Sequence, residues 1–342
     1  MKSLRERLPN RVPFFYGWVI LGCVMAASYA RQGAAVATLS IFVTPMADEF
    51  AWSRTAMAGA VSLGGLLGGA VSPLIGPFVD RKGARLVLVV SALVMASTCF
   101  ALAGTQTLLW FYLAFGLGRL TFAAPFDVGI SAPVANWFVR KRAMAMACVS
   151  LGIGVGLAIM PFMAQLVIDD FGWRAGWVAV GVSVIAVGAI PNALLMIRRP
   201  EDVGLRPDGD QGGAARDGQA GSENDGSREK SFTLRQAART PAFWLLMVYT
   251  GTCFTVQAGI SLHQAPHFVH RGLDPTVAAG VVSVFSLASA LSSLAFGYIG
   301  GRWPIRYGMV LAALFVSAGA GMTHLAHDGM AAYSSAAVFG CG

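Results

Sequence analysis

The chain has 342 residues, 56% of them hydrophobic and only 12% charged, with a formal net charge of +8 at pH 7 and a mean hydropathy of +0.62. Soluble domains carry about twice that share of charge, so the composition excludes an ordinary water-soluble fold and puts the chain in a bilayer. Nucleic-acid binding is excluded as well, because the basic residues fall in gaps between apolar runs and form no single basic face with aromatic readers.

The N-terminal tail carries Lys2, Arg5, Arg7 and Arg11 ahead of a long apolar run. A signal peptide begins in the same way, but this run is too long and no small-residue cleavage site follows, so it reads as a first transmembrane helix. Crossing about 30 Å of hydrocarbon takes about 20 apolar residues. Nine segments qualify, near residues 15–43, 55–79, 84–104, 107–137, 142–168, 173–197, 241–265, 276–300 and 305–325. Several exceed the minimum, which predicts tilt.

An arginine inside a span costs about 2.5–3.5 kcal/mol on insertion scales, so Arg31 in the first span and Arg119 in the fourth each need a wet cavity or an acidic partner. Both are candidate substrate-binding residues, since a guanidinium grips a carboxylate bidentately and keeps its charge throughout a transport cycle. The bland alternative for Arg31 is snorkelling to the outer interface. Asp127 lies eight residues after Arg119, about 12 Å along the helix axis, too far for direct pairing. It is the proton-coupling candidate, with a structural carboxylate as the alternative.

Between the second and third spans runs Gly76-Pro-Phe-Val-Asp80-Arg81-Lys82-Gly83-Ala-Arg85, and a degraded copy, Gly297-Tyr-Ile-Gly-Gly301-Arg302-Trp-Pro304-Ile-Arg306, follows the eighth span. Such an echo indicates two parallel repeats, the construction of alternating-access transporters that hold solute between their halves near the midplane. In the first copy Gly76 is expected to let the second helix approach a neighbour, Asp80 to face a helix N-terminus, and Gly83 to permit a tight turn. Arg81 and Arg85 complete a candidate gating loop. The sets Gly64-Gly65 with Gly68-Gly69, and Gly152-Ile-Gly154-Val-Gly156, lack the ending of a phosphate loop and read as close helix packing.

Residues 198–230 exchange aliphatics for Gly, Asp, Glu, Ser and Gln, and cannot bury enough apolar surface to fold alone. A coil of about 40 residues there would span about 35 Å between two six-helix halves. In the seventh span Gln257, Ser261 and Gln264 recur at helical spacing beside His263. Gln257, Ser261 and His263 join the candidate substrate-binding set, with an interfacial role as the alternative for the histidine. His267 and His270 read as solvated residues of an outside loop. The thirteen residues from Met330 to Gly342 make only about 20 Å of helix, an incomplete tenth.

Twenty of the 25 Lys and Arg residues fall in alternate gaps and the tail, while the opposite gaps hold only Arg54, Arg174 and Arg271. That bias puts the N-terminus in the cytoplasm. The five cysteines lie within apolar runs without metal or disulfide spacing. No cluster of nucleophile, base and metal-type ligands stands out, so no enzyme, cofactor or metal is expected.

Several short motifs stand out beside the Gly76–Arg85 loop: Phe15-Tyr16-Gly17-Trp18, Glu49-Phe50-Ala-Trp52-Ser53-Arg54 and Trp137-Phe138-Val-Arg140-Lys141-Arg142. Further ones are Gly172-Trp173-Arg174, the Arg199–Gly209 stretch and Thr240-Pro-Ala-Phe243-Trp244. Together these residues resemble the major facilitator superfamily, and within it the bacterial monocarboxylate-porter-like and oxalate-formate-antiporter-like transporters. The resemblance implies an all-α membrane protein: a six-helix N-terminal bundle over residues 1–197, a cytoplasmic linker over 198–240 and a C-terminal bundle over 241–342. Relatives have twelve helices, so the second bundle is incomplete. Helices one and four border the central cavity in that fold, and the loop latches the two halves with Asp80 facing an eleventh helix. The implied function is secondary transport of a small organic anion such as a monocarboxylate, by proton symport or anion exchange, in the inner (plasma) membrane. The implied partners are that anion and the lipid bilayer, with no nucleic acid and a monomeric state. The alternatives are a truncated, transport-incompetent protein and a broad-specificity exporter.

Overall fold

The computed structural model describes residues 12–209, 234–300 and 303–342. The basic tail before Val12 and the linker between residues 210 and 233 lie outside the described residues. Every secondary-structure element among the described residues is a helix, as lipid requires of a chain that must satisfy its own backbone. The chain divides into two compact units, Met1–Gln211 and Gly212–Gly342.

In the first unit, α1 (Gly17–Arg31), a 3-10 turn (Gln32–Ala34) and α2 (Val36–Phe50) form one crossing. Next comes α3 (Arg54–Lys82), opened by the Ser53 hydroxyl, which accepts from the Ala56 N–H at 3.1 Å. It ends at Gly83, whose φ of 86° suits a residue without a Cβ and whose N–H donates to the Val79 carbonyl at 2.8 Å. The third crossing is α4 (Ala84–Ala103), and α5 (Leu108–Ala123) with α6 (Pro125–Trp137) forms the fourth.

A 54-residue helical stretch follows, Arg142–Leu195, comprising α7 (Arg142–Ser183), a π-helical segment (Val184–Ala189) and α8 (Ile190–Leu195). Drawn out straight it would measure about 80 Å, far beyond any bilayer. Its neighbours show that it doubles back. A Cβ on Gly152 would lie 3.0 Å from Met25, and one on Gly156 would lie 3.0 Å from Tyr29, so the first leg runs parallel to α1. Beyond Gly172 (φ 81°, ψ 168°), Gly176 meets Phe42, Gly188 meets Ala30, and the Asn192 amide donates to the Cys23 carbonyl at 3.0 Å. The second leg is therefore antiparallel to the first, and the stretch crosses twice.

The sequence predicts nine spans; among the described residues, seven stretches are long and apolar enough to cross a membrane. The fifth and sixth expected spans are the two legs of one of these stretches, which reverses at the non-helical Gly172, so both are crossings. The segment expected at 241–265 is helical but is not among the seven.

Glycines set the spacing of α3 against α5. A Cβ at Gly64 would come within 2.5 Å of the Arg119 Cβ, and one at Gly68 within 2.6 Å of the Ala123 Cβ, whereas Gly65, Gly69 and Gly154 face open space. Gly76 also has open space, so the close approach expected there is made about two turns or more earlier on the helix, at Gly68 and Gly64. The beginning of the linker departs from the expected coil. Asp208 accepts from the backbone N–H groups of Val139, Arg140 and Lys141 at 3.1, 2.7 and 3.2 Å, while Val203 and Leu205 pack on the core of the first unit. Residues 198–209 are thus held by this unit rather than standing alone.

The second unit contains α9 (Leu234–Ala237), α10 (Pro241–His270), α11 (Pro275–Gly300), α12 (Ile305–Leu325) and α13 (Gly329–Gly340). Its small core gathers Phe268, Val281, Ala326, Ala332 and Ala336. Gly319 lets α12 approach α13 closely, since a Cβ there would fall 2.4 Å from the Phe339 Cα. At 12 residues, α13 is about 18 Å long, less than the hydrocarbon thickness. His267 is corrected from a solvated loop residue: it lies within α10 and its Nε2 is buried.

Candidate functional site

Two crossings of the first unit are broken at the same place. The first breaks after Arg31, where Gln32–Ala34 tighten into a 3-10 turn and Ala35 is extended (ψ 152°). The fourth breaks at Ala124 (φ −122°, ψ −73°), directly before Pro125, which has no N–H to continue the ladder. A break leaves carbonyls without helical partners, and in lipid each such group costs several kcal/mol unless another donor reaches it.

Each broken crossing lends an arginine to the other. Arg31 donates from Nε to the Phe122 carbonyl at 3.0 Å, and Arg119 donates to the Ala34 carbonyl at 3.2 Å. Both guanidinium carbons sit over the Phe122 ring, 4.1 and 4.4 Å from its centroid, a contact worth about 0.5–2 kcal/mol depending on desolvation. Gly118 makes room for this exchange, because a Cβ there would lie 3.2 Å from the Ala34 Cβ and from the Thr98 hydroxyl.

The two arginines differ in what remains unsatisfied. Arg31 also pairs with the Asp127 carboxylate at 3.0 Å. Asp127 stands in the first turn of α6, where a helix N-terminus favours negative charge. Arg31 is 15 residues into the 34-residue crossing Gly17–Phe50, its side chain is 16% exposed, and its partners are protein groups. Arg119 has no acidic partner among the described residues, and its Nε is buried without a hydrogen-bond partner. Asp127 and Arg119 do not pair, as their axial separation predicts.

The remaining expected residues are scattered. After α3, Gly83 makes the turn it was expected to make, and Asp80, still within the last turn of α3, accepts through its backbone carbonyl from Arg198 Nη2. Arg81 sits in the last turn of α3, where positive charge suits the helix C-terminus; Arg85 lines a cavity described below. Gln257 is half-buried on α10, and the side chains of Ser261 and His263 lie outside the described residues. In the second unit Gln264, His267, Thr323 and His324 border a cavity of about 210 Å³. Phe122 and the Ala34 carbonyl were missed from sequence. The signal for the ring was present, since Phe122 follows Arg119 at the i+3 spacing that makes helical neighbours.

Comparison with known proteins gives the broken, glycine-packed bundle its lineage. Human monocarboxylate transporter 11 is 25% identical over 321 residues, covering 90% of this chain and 61% of that protein. The membrane sensor protein UhpC of Salmonella typhimurium is 27% identical over 230 residues, 64% of this chain and 50% of that protein. Rat monocarboxylate transporter 4 is 28% identical over 172 residues, 48% of this chain and 35% of that protein. The chain thus spans between about a third and three fifths of the length of these relatives. The profile of the Major Facilitator Superfamily matches residues 18–342, and the chain belongs to that superfamily.

Proposed function

We propose that this chain handles a small organic anion, such as a monocarboxylate, in secondary transport by alternating access, coupled to proton symport or anion exchange. The observation that carries the reading is Arg119, a cation set at two facing helix breaks with no acidic partner among the described residues and one buried donor unused. Broken helices near the midplane are where transporters of this construction place their substrates. A carboxylate would supply the acceptor that Arg119 Nε lacks, and a guanidinium favours gripping such a group bidentately. The names of two of the three relatives, monocarboxylate transporters, support the substrate class.

Arg31 then acts as the second cation of the site, held by Asp127 until substrate competes for it. Asp127, exposed beside that cation, is the group proposed to accept the coupled proton. Gln257, Ser261 and His263 are proposed as substrate-facing residues of the second unit. The loop with Gly76, Asp80, Arg81, Gly83 and Arg85 is proposed to gate, with its basic side in the cytoplasm of an inner-membrane protein.

Uptake of radiolabelled short monocarboxylates into vesicles carrying the full chain tests the reading. Arg119→Ala is expected to lower uptake at least about tenfold, with Arg119→Lys intermediate because an ammonium cannot bind bidentately. Uptake that is unchanged by Arg119→Ala, or as fast for the neutral amide analogues, overturns the anion site. Saturable, Arg119-dependent binding without uptake would favour the transport-incompetent alternative.

A further inference from the structure

At the charged rim of the first unit a cavity of about 490 Å³ opens between the α3–α4 turn and the segment that follows α8. Three candidate membrane spans end around it, at Lys82, Ala84 and Leu195. It therefore lies at the boundary of the hydrocarbon, the depth at which phospholipid headgroups sit.

Its lining is divided by chemistry. Lys82, Arg85 and Arg198 supply three cations, while Leu86, Val89, Ala193, Met196, Ile197 and Val203 supply apolar walls. The one acidic group in the lining, Asp202, is engaged in the turn that follows, accepting from the Arg199 N–H at 3.2 Å. Arg198 is fixed at the rim by its bond to the Asp80 carbonyl and by contact with Gly83, where a Cβ would lie 3.1 Å from the arginine's Cδ. From the cavity an exposed apolar track continues along α4 through Leu86, Val90 and Leu93, and along α8 through Leu194 and Ile190.

We propose that this cavity is a binding site for an anionic phospholipid, its phosphate among Lys82, Arg85 and Arg198 and an acyl chain along the track on α4 and α8. Basic pockets between transmembrane helices at this depth recognise acidic headgroups, each cation contributing about 1 kcal/mol, or about fivefold in affinity. A soluble phosphate would use the cations and leave the apolar wall idle; a zwitterionic lipid would fill the wall but bring an ammonium with its phosphate, offsetting its attraction to the three cations. Only an anionic lipid matches both halves of the lining. Its occupancy would clasp the α3–α4 turn to the segment after α8 within the first unit.

Native mass spectrometry of the detergent-purified chain, titrated with phosphatidylglycerol, phosphatidylcholine or glycerol phosphate, tests the site. Retention of phosphatidylglycerol is expected, with phosphatidylcholine and glycerol phosphate each at least about tenfold weaker. Lys82→Gln and Arg85→Gln should each weaken phosphatidylglycerol about fivefold, and Val89→Trp should do the same by filling the wall without altering charge. Arg206→Gln removes an equally basic residue outside the cavity and should change nothing. Lys82→Arg and Arg85→Lys keep the charge and should bind as the parent does, separating charge loss from misfolding. Equal retention of phosphatidylcholine, equal binding of glycerol phosphate, an equal loss in Arg206→Gln, or a full loss in the charge-keeping variants would each overturn the proposal.

Discussion

Gln32 in the first unit and Gln264 in the second are the same residue at the same burial, each 2% exposed, yet their amides are in opposite states. The Gln32 amide nitrogen donates to the Ser28 carbonyl at 3.0 Å. Neither amide atom of Gln264 has a partner among the described residues. The surroundings differ in the same sense: 67% of the apolar window of Gly17–Phe50 is buried, against 6% for Ser283–Gly300 and 11% for Ile305–Leu325. In the first unit the neighbours of Gln32 enclose it and pair its amide, although Thr105 Oγ1, Arg119 Nε, Trp177 Nε1 and Asn192 Oδ1 are buried there without a partner among the described residues. The second keeps broad apolar faces and a small polar cavity bordered by Gln264, His267 and His324. Polarity buried in a membrane protein is thus decided by neighbours rather than by residue type.

The largest test of this contrast is steric. Gly64→Val would drive a methyl-bearing carbon into Arg119 and the Gly116 carbonyl, 2.5 and 2.9 Å from the position of its Cβ. Gly65→Val would meet open space. The expected outcome is a loss of about 3 kcal/mol or more for Gly64→Val, read as a lower melting temperature in detergent, against little change for Gly65→Val. Because Gly64 abuts Arg119, the anion binding proposed for that arginine should fail as well. In the second unit the pair Gly319→Val and Gly321→Val sets the same contrast, with Phe339 as the obstructing neighbour and open space at Gly321. Equal melting temperatures within either pair would mean that these close approaches do not hold the bundle.

A smaller effect should carry opposite signs in the two units. A buried polar group left unpaired costs about 1–3 kcal/mol, whereas a made hydrogen bond contributes about 0.5–1.5 kcal/mol. Gln264→Leu is therefore expected to raise the melting temperature, and Gln32→Leu to lower it. If Gln264→Leu lowers it instead, the amide of Gln264 has a partner in solution, and the distinction between the units narrows.

Much of the first unit was legible from hydropathy alone, because a crossing must be apolar for about 20 residues whatever it packs against. Gly83 was legible as a turn because only glycine sits easily at a φ near 86°. The close approaches of Gly64, Gly68, Gly152 and Gly156 were legible as a class, but not which of the glycines in each set would face a neighbour. Gly76 shows the limit, since its place in a motif carried no information about the space around it. Arg31 and Arg119 were legible as costly charges needing partners. Their partners were not, because Arg31 and Asp127 are 96 residues apart and meet only where two helices break. Pro125 carried a signal for one break that reading 107–137 as a single span did not use; the turn at Gln32–Ala34 has no proline to mark it. Asp208 likewise reaches the Val139–Lys141 backbone only through the folded path of the segment between them.

The smallest effect expected concerns that ion pair. Asp127 has a side chain that is 60% exposed while Arg31 is 16% exposed, so solvent screens the pair from one side. Exposed pairs couple by about 0.2–1 kcal/mol, and this one should fall near the top of that range because Arg31 is held in place by the Phe122 carbonyl and ring. A double-mutant cycle of Arg31→Gln and Asp127→Asn, read by unfolding in detergent, isolates the coupling from the other contacts of Arg31. Arg31→Gln alone should cost more than Asp127→Asn alone, because the arginine also serves the broken end of α5 whereas the carboxylate serves only the arginine and the first turn of its own helix. A coupling of several kcal/mol would mean that the pair is closed off from water in the bilayer. Asp127 would then be a poor proton acceptor, and the coupling role proposed for it would pass to another group.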